Sequence, residues 1–204
     1  SIFGAAFFLA QYFQTVWHYG PLGAGLRLAP WTVTLSLVAP AAGALAARVG
    51  DRALITVGLS LQAAGFAWIA LVAREHLGYA AIVAPLVLAG CGVSMAMVAA
   101  QNCVIGAVPP ADLGKASGTF NTLRQLGGTF GIAILAAVFT STGSYASARA
   151  FGAGFVPAAE VAAGLSLAGA VAGAFVPSRR RAPSPSAGSA TPTPVLQQVN
   201  GTEG

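Results

Sequence analysis

The sequence predicts an all-α membrane protein, six transmembrane helices followed by a disordered C-terminal tail, and three observations predict it. First, the 204 residues are 56% hydrophobic and only 7% charged, with a mean hydropathy of +0.75. A soluble domain carries about 25% charged residues to keep its surface hydrated; ten basic and five acidic side chains are too few for that task. Second, several uncharged apolar stretches approach the ~20 residues that cross the hydrocarbon of a bilayer, which a wholly buried soluble core does not require. Third, the basic residues fall at the ends of those stretches.

The first segment covers residues 1–18 and ends in the turn Tyr19-Gly20-Pro21. The second, 24–47, stops at the basic loop Arg48-Val49-Gly50-Asp51-Arg52, and the third, 53–73, at Arg74-Glu75-His76. The fourth, 79–107, is long enough to tilt and is broken by Pro109 to Lys115. The fifth covers 117–140 and the sixth 157–176. Pro30, Pro40 and Pro85 interrupt the hydrogen-bond ladder, which membrane helices tolerate where neighbours re-satisfy the freed carbonyls. Residues 1–176 are thus expected to form the transmembrane unit.

From Pro177 the texture changes: Arg179-Arg180-Arg181 leads into a Pro-, Ser-, Thr-, Gly- and Ala-rich tail. Such a composition buries too little apolar area to offset its ordering entropy, so 177–204 is expected to be a disordered cytoplasmic tail. The sequon Asn200-Gly201-Thr202 is read as chance on that side. Nothing resembles a cleavable signal peptide, and the start at Ser1 reads as a piece whose first helix is cut near its beginning.

A net charge of +5 does not point to nucleic acid, because the basic residues form no solvated patch interleaved with aromatics. They set orientation instead. If the segments alternate, Arg48, Arg52, Lys115 and Arg179 to Arg181 share one side, and Arg74 and Arg149 the other. The richer side is cytoplasmic by the positive-inside rule, which predicts a multi-pass plasma-membrane protein with a cytoplasmic C-terminus. Trp17, Tyr19, Tyr79 and Tyr145 then lie near the outer interface, where amphipathic rings settle. Cys91 and Cys103 share a segment about 18 Å apart, too far for a disulfide.

Four constellations carry the candidate chemistry. In the fifth segment Ser117, Asn121, Arg124, Gly128 and Gly131 recur at helical spacing on one face, opposite Leu123, Leu126, Phe130 and Ile134. A guanidinium two turns inside a membrane helix costs about 2.5–3.5 kcal/mol, so Arg124 either faces a wet cavity or anion or snorkels to the interface. In the first segment Gln11, Gln14, Thr15 and His18 share a face, suited to a solute path or to interhelical hydrogen bonds. The fourth segment offers Ser94, Met97, Gln101 and Asn102, beside Gly90; methionine adapts to varied apolar ligands but also serves as filler. Gln125 completes the substrate-path candidates. Arg27 and Glu160, near the outer ends of the second and sixth segments, either pair across the bundle or sit among headgroups. No carboxylate falls at the centre of a segment, where a proton-driven transporter usually keeps one. No catalytic triad, phosphate-binding glycine loop or metal-ligand cluster is present, so no enzyme, cofactor or metal is expected.

The stretch Gly43-Ala44-Leu45-Ala46-Ala47-Arg48-Val49-Gly50-Asp51-Arg52 resembles the cytoplasmic loop signature of the major facilitator superfamily. Gly43, Arg48, Gly50 and Arg52 match, while Ala47 replaces the family's acidic residue and Asp51 a basic one; in the family that acid latches one conformation. Phe8 to Gln14 and Gly20 to Trp31 look like the start of the C-terminal half of the fourteen-span drug–proton antiporters. Pro109 to Gly118 and Asn121 to Gly128 look like that family's penultimate loop and helix.

The resemblance, over about residues 1–176, implies the C-terminal half of a secondary transporter. Such a protein exports hydrophobic or cationic drugs, or an antibiotic, in exchange for protons. It also implies a partner N-terminal transmembrane half, absent from this chain, that carries the antiporter signature and the membrane-embedded acids. The expected partners are the bilayer, that half, a small-molecule substrate and protons. A transporter of another small solute on the same fold, and a non-transporting membrane scaffold, are the alternatives.

Overall fold

The computed structural model describes residues 1–74 and 78–176. The predicted tail, with Arg179 to Arg181, lies outside the described residues, as do Glu75 and His76. Every regular element among the described residues is helical: α1 (Ile2–Thr15), α2 (Pro21–Arg27), α3 (Ala29–Val49), α4 (Asp51–Arg74), α5 (Tyr79–Ala107), a 3-10 turn (Pro110–Asp112), α6 (Leu113–Thr142) and α7 (Ala148–Ala174).

Among the described residues five stretches are long and apolar enough to cross a membrane: Pro21–Val49, Asp51–Arg74, Tyr79–Ala107, Pro110–Thr142 and Ala148–Ala174. The expected first crossing is the exception, because α1 has 14 residues and so spans about 21 Å of a core ~30 Å thick. With this succession of long apolar helices, the chain is a multi-pass membrane protein.

Local chemistry moves several boundaries from those expected. The expected second segment divides at Leu28 into α2 and α3; Pro30, in the first turn of α3, has no N–H to donate back to α2. The last begins at Ala148 rather than Pro157, since the Ser147 hydroxyl caps it by accepting from the Ala150 amide at 3.1 Å. Pro157 thus lies inside the helix. The fifth begins at Leu113 rather than residue 117, directly on the turn that Pro110 opens.

α4 packs most extensively, against α5 and α7; α3 rests on α5, and α1 on α6 and α7. Small residues set the closest approach, as expected where no hydrophobic drive separates helix from lipid. A Cβ on Gly58 of α4 would stand 2.6 Å from the Gly92 carbonyl oxygen of α5, and one on Gly65 2.8 Å from the Ala89 amide nitrogen. The main core joins Phe8, Tyr12 and Phe13 of α1 to Phe66, Leu86, Phe139, Phe151 and Phe155.

One end of the bundle is aromatic. Trp17 lies 6.2 Å from Tyr19 and 6.3 Å from Tyr79 between ring centroids, and Tyr145 lies 5.1 Å from Phe139. At the other end the α3–α4 turn meets the end of α5, where Asn102 Nδ2 is 3.5 Å from Asp51 Oδ1. Gly50 forms that turn at φ +95°, a left-handed backbone that side-chain-bearing residues avoid.

Candidate functional site: a polar cavity between α5 and α6

α5 and α6 touch only sparingly. Between them lies a cavity of about 200 Å3 lined by Gln101, Val104 and Ile105 of α5 and Ser117, Phe120, Asn121 and Arg124 of α6. Helical repetition builds it. Ser117, Asn121 and Arg124 rise on one α6 face at spacings of four and three, while Gln101 and Ile105 are four apart on α5. The Arg124 guanidinium donates to Asn121 Oδ1 at 2.9 Å, which orients the pair along one helix face. One of five N–H donors is thereby used, and Arg124 remains exposed.

The other candidates fall elsewhere. Ser94 is buried and donates to the Leu35 carbonyl of α3 at 2.5 Å, tying α5 to α3. Asn102 turns toward α4 and Asp51, and Met97 is half-buried without lining the cavity. Gln14 is exposed and donates to its own Ala10 carbonyl at 3.2 Å; Gln11 and Thr15 are half-buried on α1, away from the cavity. Gln125 is exposed, and its carbonyl accepts from Thr129 at 3.1 Å. His18 is exposed in the turn after α1, at φ 53°.

Arg27 and Glu160 do not pair with each other. Glu160 Oε1 accepts from Arg74 Nη2 at 2.6 Å. Arg27 instead sits over the Tyr19 ring at 3.4 Å from its centroid, with the Tyr79 ring at 5.5 Å. Its Nη1 donates to the Gly23 carbonyl, and Tyr79 Oη donates to the Arg27 carbonyl at 3.1 Å. The ring faces attract a planar cation, and the Glu160 carboxylate is already engaged by Arg74.

In the loop motif Arg48 and Arg52 are exposed, and Gly43 has open space where a Cβ would point. Asp51 lies in the first turn of α4, where its charge favours the helix N-terminus.

One polar centre escapes the sequence reading. Gln62, fully buried at the middle of α4, donates through Nε2 to the Ser1 hydroxyl at 3.0 Å. The Ser166 hydroxyl of α7 lies 3.0 Å from the same oxygen and donates to the Ala162 carbonyl at 2.8 Å. Gln62 Oε1 has no partner. The available signal was a lone carboxamide amid the apolar third segment. A second cavity, about 20 Å3, lies among Phe8, Leu9, Trp31, Phe66, Leu86 and Phe155; it is too small for a solute, and its apolar walls offer an ordered water no partner.

The chain is similar to several proteins of known name. It is 30% identical to the multidrug resistance protein Stp of Mycobacterium tuberculosis over 69% of its own length and 26% of that protein. It is 34% identical to the multidrug efflux pump LfrA of Mycolicibacterium smegmatis over 84% of its length and 34% of the pump. It is 35% identical to the cephamycin export protein CmcT of Amycolatopsis lactamdurans over 68% of its length and 28% of that protein. The chain therefore spans about a quarter to a third of the length of these relatives. Residues 1–200 match the Major Facilitator Superfamily, a match that runs through every helix described above. The chain belongs to that superfamily.

Proposed function

We propose that this chain is the C-terminal half of a secondary active transporter that exports hydrophobic or cationic drugs, or an antibiotic, in exchange for protons. The observation that carries the reading is the similarity to proteins named for multidrug resistance, multidrug efflux and cephamycin export. The bundle supports it physically: a polar cavity opens between two long apolar helices. Superfamily transporters hold their solute near such helix interfaces and rock one repeat against the other.

In this reading an N-terminal transmembrane half completes the path, the protein sits in the plasma membrane, and its C-terminus is cytoplasmic. Arg124, Asn121, Ser117 and Gln101 face the solute path from one side, while Ser94 ties α5 to α3 and Asn102 steadies the α3–α4 turn. The loop of Gly43, Arg48, Gly50, Asp51 and Arg52 governs the conformational change.

The test is drug accumulation in cells expressing the intact transporter that contains this chain. Accumulation falls relative to cells without it, and a protonophore restores it. Equal accumulation in both, indifferent to the proton gradient, overturns the proposal.

A specific observation favours a second reading, a transporter of another solute on the same fold. Ala47 stands where the family's loop carries an acid. Among the described residues Asp51, Asp112 and Glu160 are bonded to Asn102, Lys115 and Arg74, and none lines the cavity between α5 and α6. Proteoliposomes challenged with a panel of solutes separate the two readings.

A further inference from the structure

We propose that the cavity between α5 and α6 binds the anionic group of an amphiphilic small molecule, a carboxylate or phosphate ester attached to an apolar body. This deepens the transport reading by selecting, among its solutes, a drug or antibiotic with an anionic group over a cationic one, and it rests on that reading in taking the transported solute as one source of the ligand.

Three features carry it. The cavity holds a guanidinium, two carboxamides and a hydroxyl, from Arg124, Asn121, Gln101 and Ser117, and its lining contains no carboxylate. Arg124 spends one donor on Asn121, leaving a planar fork suited to two-point contact with a carboxylate or phosphate. The nearest charged groups do not neutralise it. Asp51 is engaged by Asn102 on the α4 side of α5. Asp112 is bonded to Lys115 at 3.1 Å, and Lys115 lies nine residues before Arg124 along α6, about 14 Å away.

The remaining walls, Val104, Ile105 and Phe120, are apolar and adjoin the polar groups. The ligand therefore has both characters. The volume, about 200 Å3, is smaller than the ~300–1,000 Å3 of sites that enclose a whole drug-sized molecule, so the cavity takes the charged head and the first part of the body. A cationic solute meets only a fixed positive charge here.

The test measures binding, not transport, on the intact transporter that contains this chain, in phosphatidylcholine nanodiscs. The probes are radiolabelled 2-naphthoate and 2-naphthylmethylammonium, which share one aromatic body and differ in charge. The naphthoate binds at least about tenfold more tightly. Arg124→Gln abolishes that preference. Gln101→Glu, a change at an exposed position, abolishes it too by placing an anion in the cavity, which keeps the test valid if the arginine variant fails to fold.

A second arm replaces part of the phosphatidylcholine with phosphatidylglycerol. Lowered naphthoate binding identifies a lipid headgroup as the natural source of the anion; unchanged binding identifies a free solute. Equal binding of the two probes to the unaltered transporter, or a preference that survives Gln101→Glu or a folded Arg124→Gln, overturns the proposal. Because no transport is measured, a transporter that fails to export drugs leaves this result standing, and loss of anion binding leaves the transport reading untouched.

Discussion

Gly58 of α4 and Gly92 of α5 pack backbone against backbone. A Cβ on Gly58 would meet the Gly92 carbonyl oxygen at 2.6 Å and the Ala96 amide nitrogen at 2.8 Å. No side-chain rotation relieves a clash with main-chain atoms, so the helices must part. Gly58→Val is expected to destabilise the bundle by about 1–3 kcal/mol, the usual cost of overpacking. Gly43→Ala, with nothing within 4 Å of its Cβ, is expected to be neutral. Thermal melting of both variants in one detergent checks the contrast; equal melting temperatures would show that the crossing is looser than these distances.

The buried Gln62 gives a second expectation. Interhelical hydrogen bonds of this kind contribute about 0.6–2 kcal/mol in a membrane. Gln62→Leu removes both the bond to Ser1 and the unpaired Oε1, so its cost lies at the low end of that range. Gln62→Glu places an acid at a fully buried site and is expected to cost more. Chemical unfolding of the two variants ranks them; the reverse order contradicts this account.

Arg74 and Glu160 link α4 to α7 at 2.6 Å, yet about half of each side chain is exposed. Solvent screening limits such a pair to about 0.2–1 kcal/mol. A double-mutant cycle with Arg74→Ala and Glu160→Ala is expected to return a coupling within that range, shrinking as salt is raised. A larger, salt-independent coupling would mean that the pair is desolvated by lipid.

The position of Arg27 over the Tyr19 ring, with the Tyr79 ring 5.5 Å away, predicts that lysine is a poor substitute. A flexible ammonium keeps the charge but loses the planar face. Arg27→Lys is expected to lower stability by about 0.5–2 kcal/mol, read as a drop in melting temperature together with altered tyrosine fluorescence. Arg27→Lys melting like the unaltered chain would assign the site to charge alone.

The long crossings were legible because hydropathy and length dictate them: residues 79–107 emerge as α5 with those bounds. The ends were less so. Proline was read as a boundary at Pro157, but a serine cap upstream and a bundle able to tolerate the missing donor moved the start to Ala148. Helical spacing placed Ser117, Asn121 and Arg124 on one face, and the structure brings Gln101 to them. Periodicity within one helix carries no information about which neighbour it faces. For that reason the use of Ser94 by α3, the partner of Glu160 and the burial of Gln62 waited for tertiary structure.

Of the thirty residues of α6, only Gly131, Leu135 and Phe139 are buried, all in its second half. Within this chain the helix is a cantilever, held near one end and unpacked along the other. Asn121 lies fourteen residues from Leu135, an arm of about 21 Å. A tilt of about 5° at the clamp carries Asn121 through ~2 Å, the scale of helix shifts that switch transporters and interfaces. The width of the polar cavity is thus governed by the angle of a single rod, and its fulcrum lies beside the aromatic contact of Phe139 with Phe8 and Phe151.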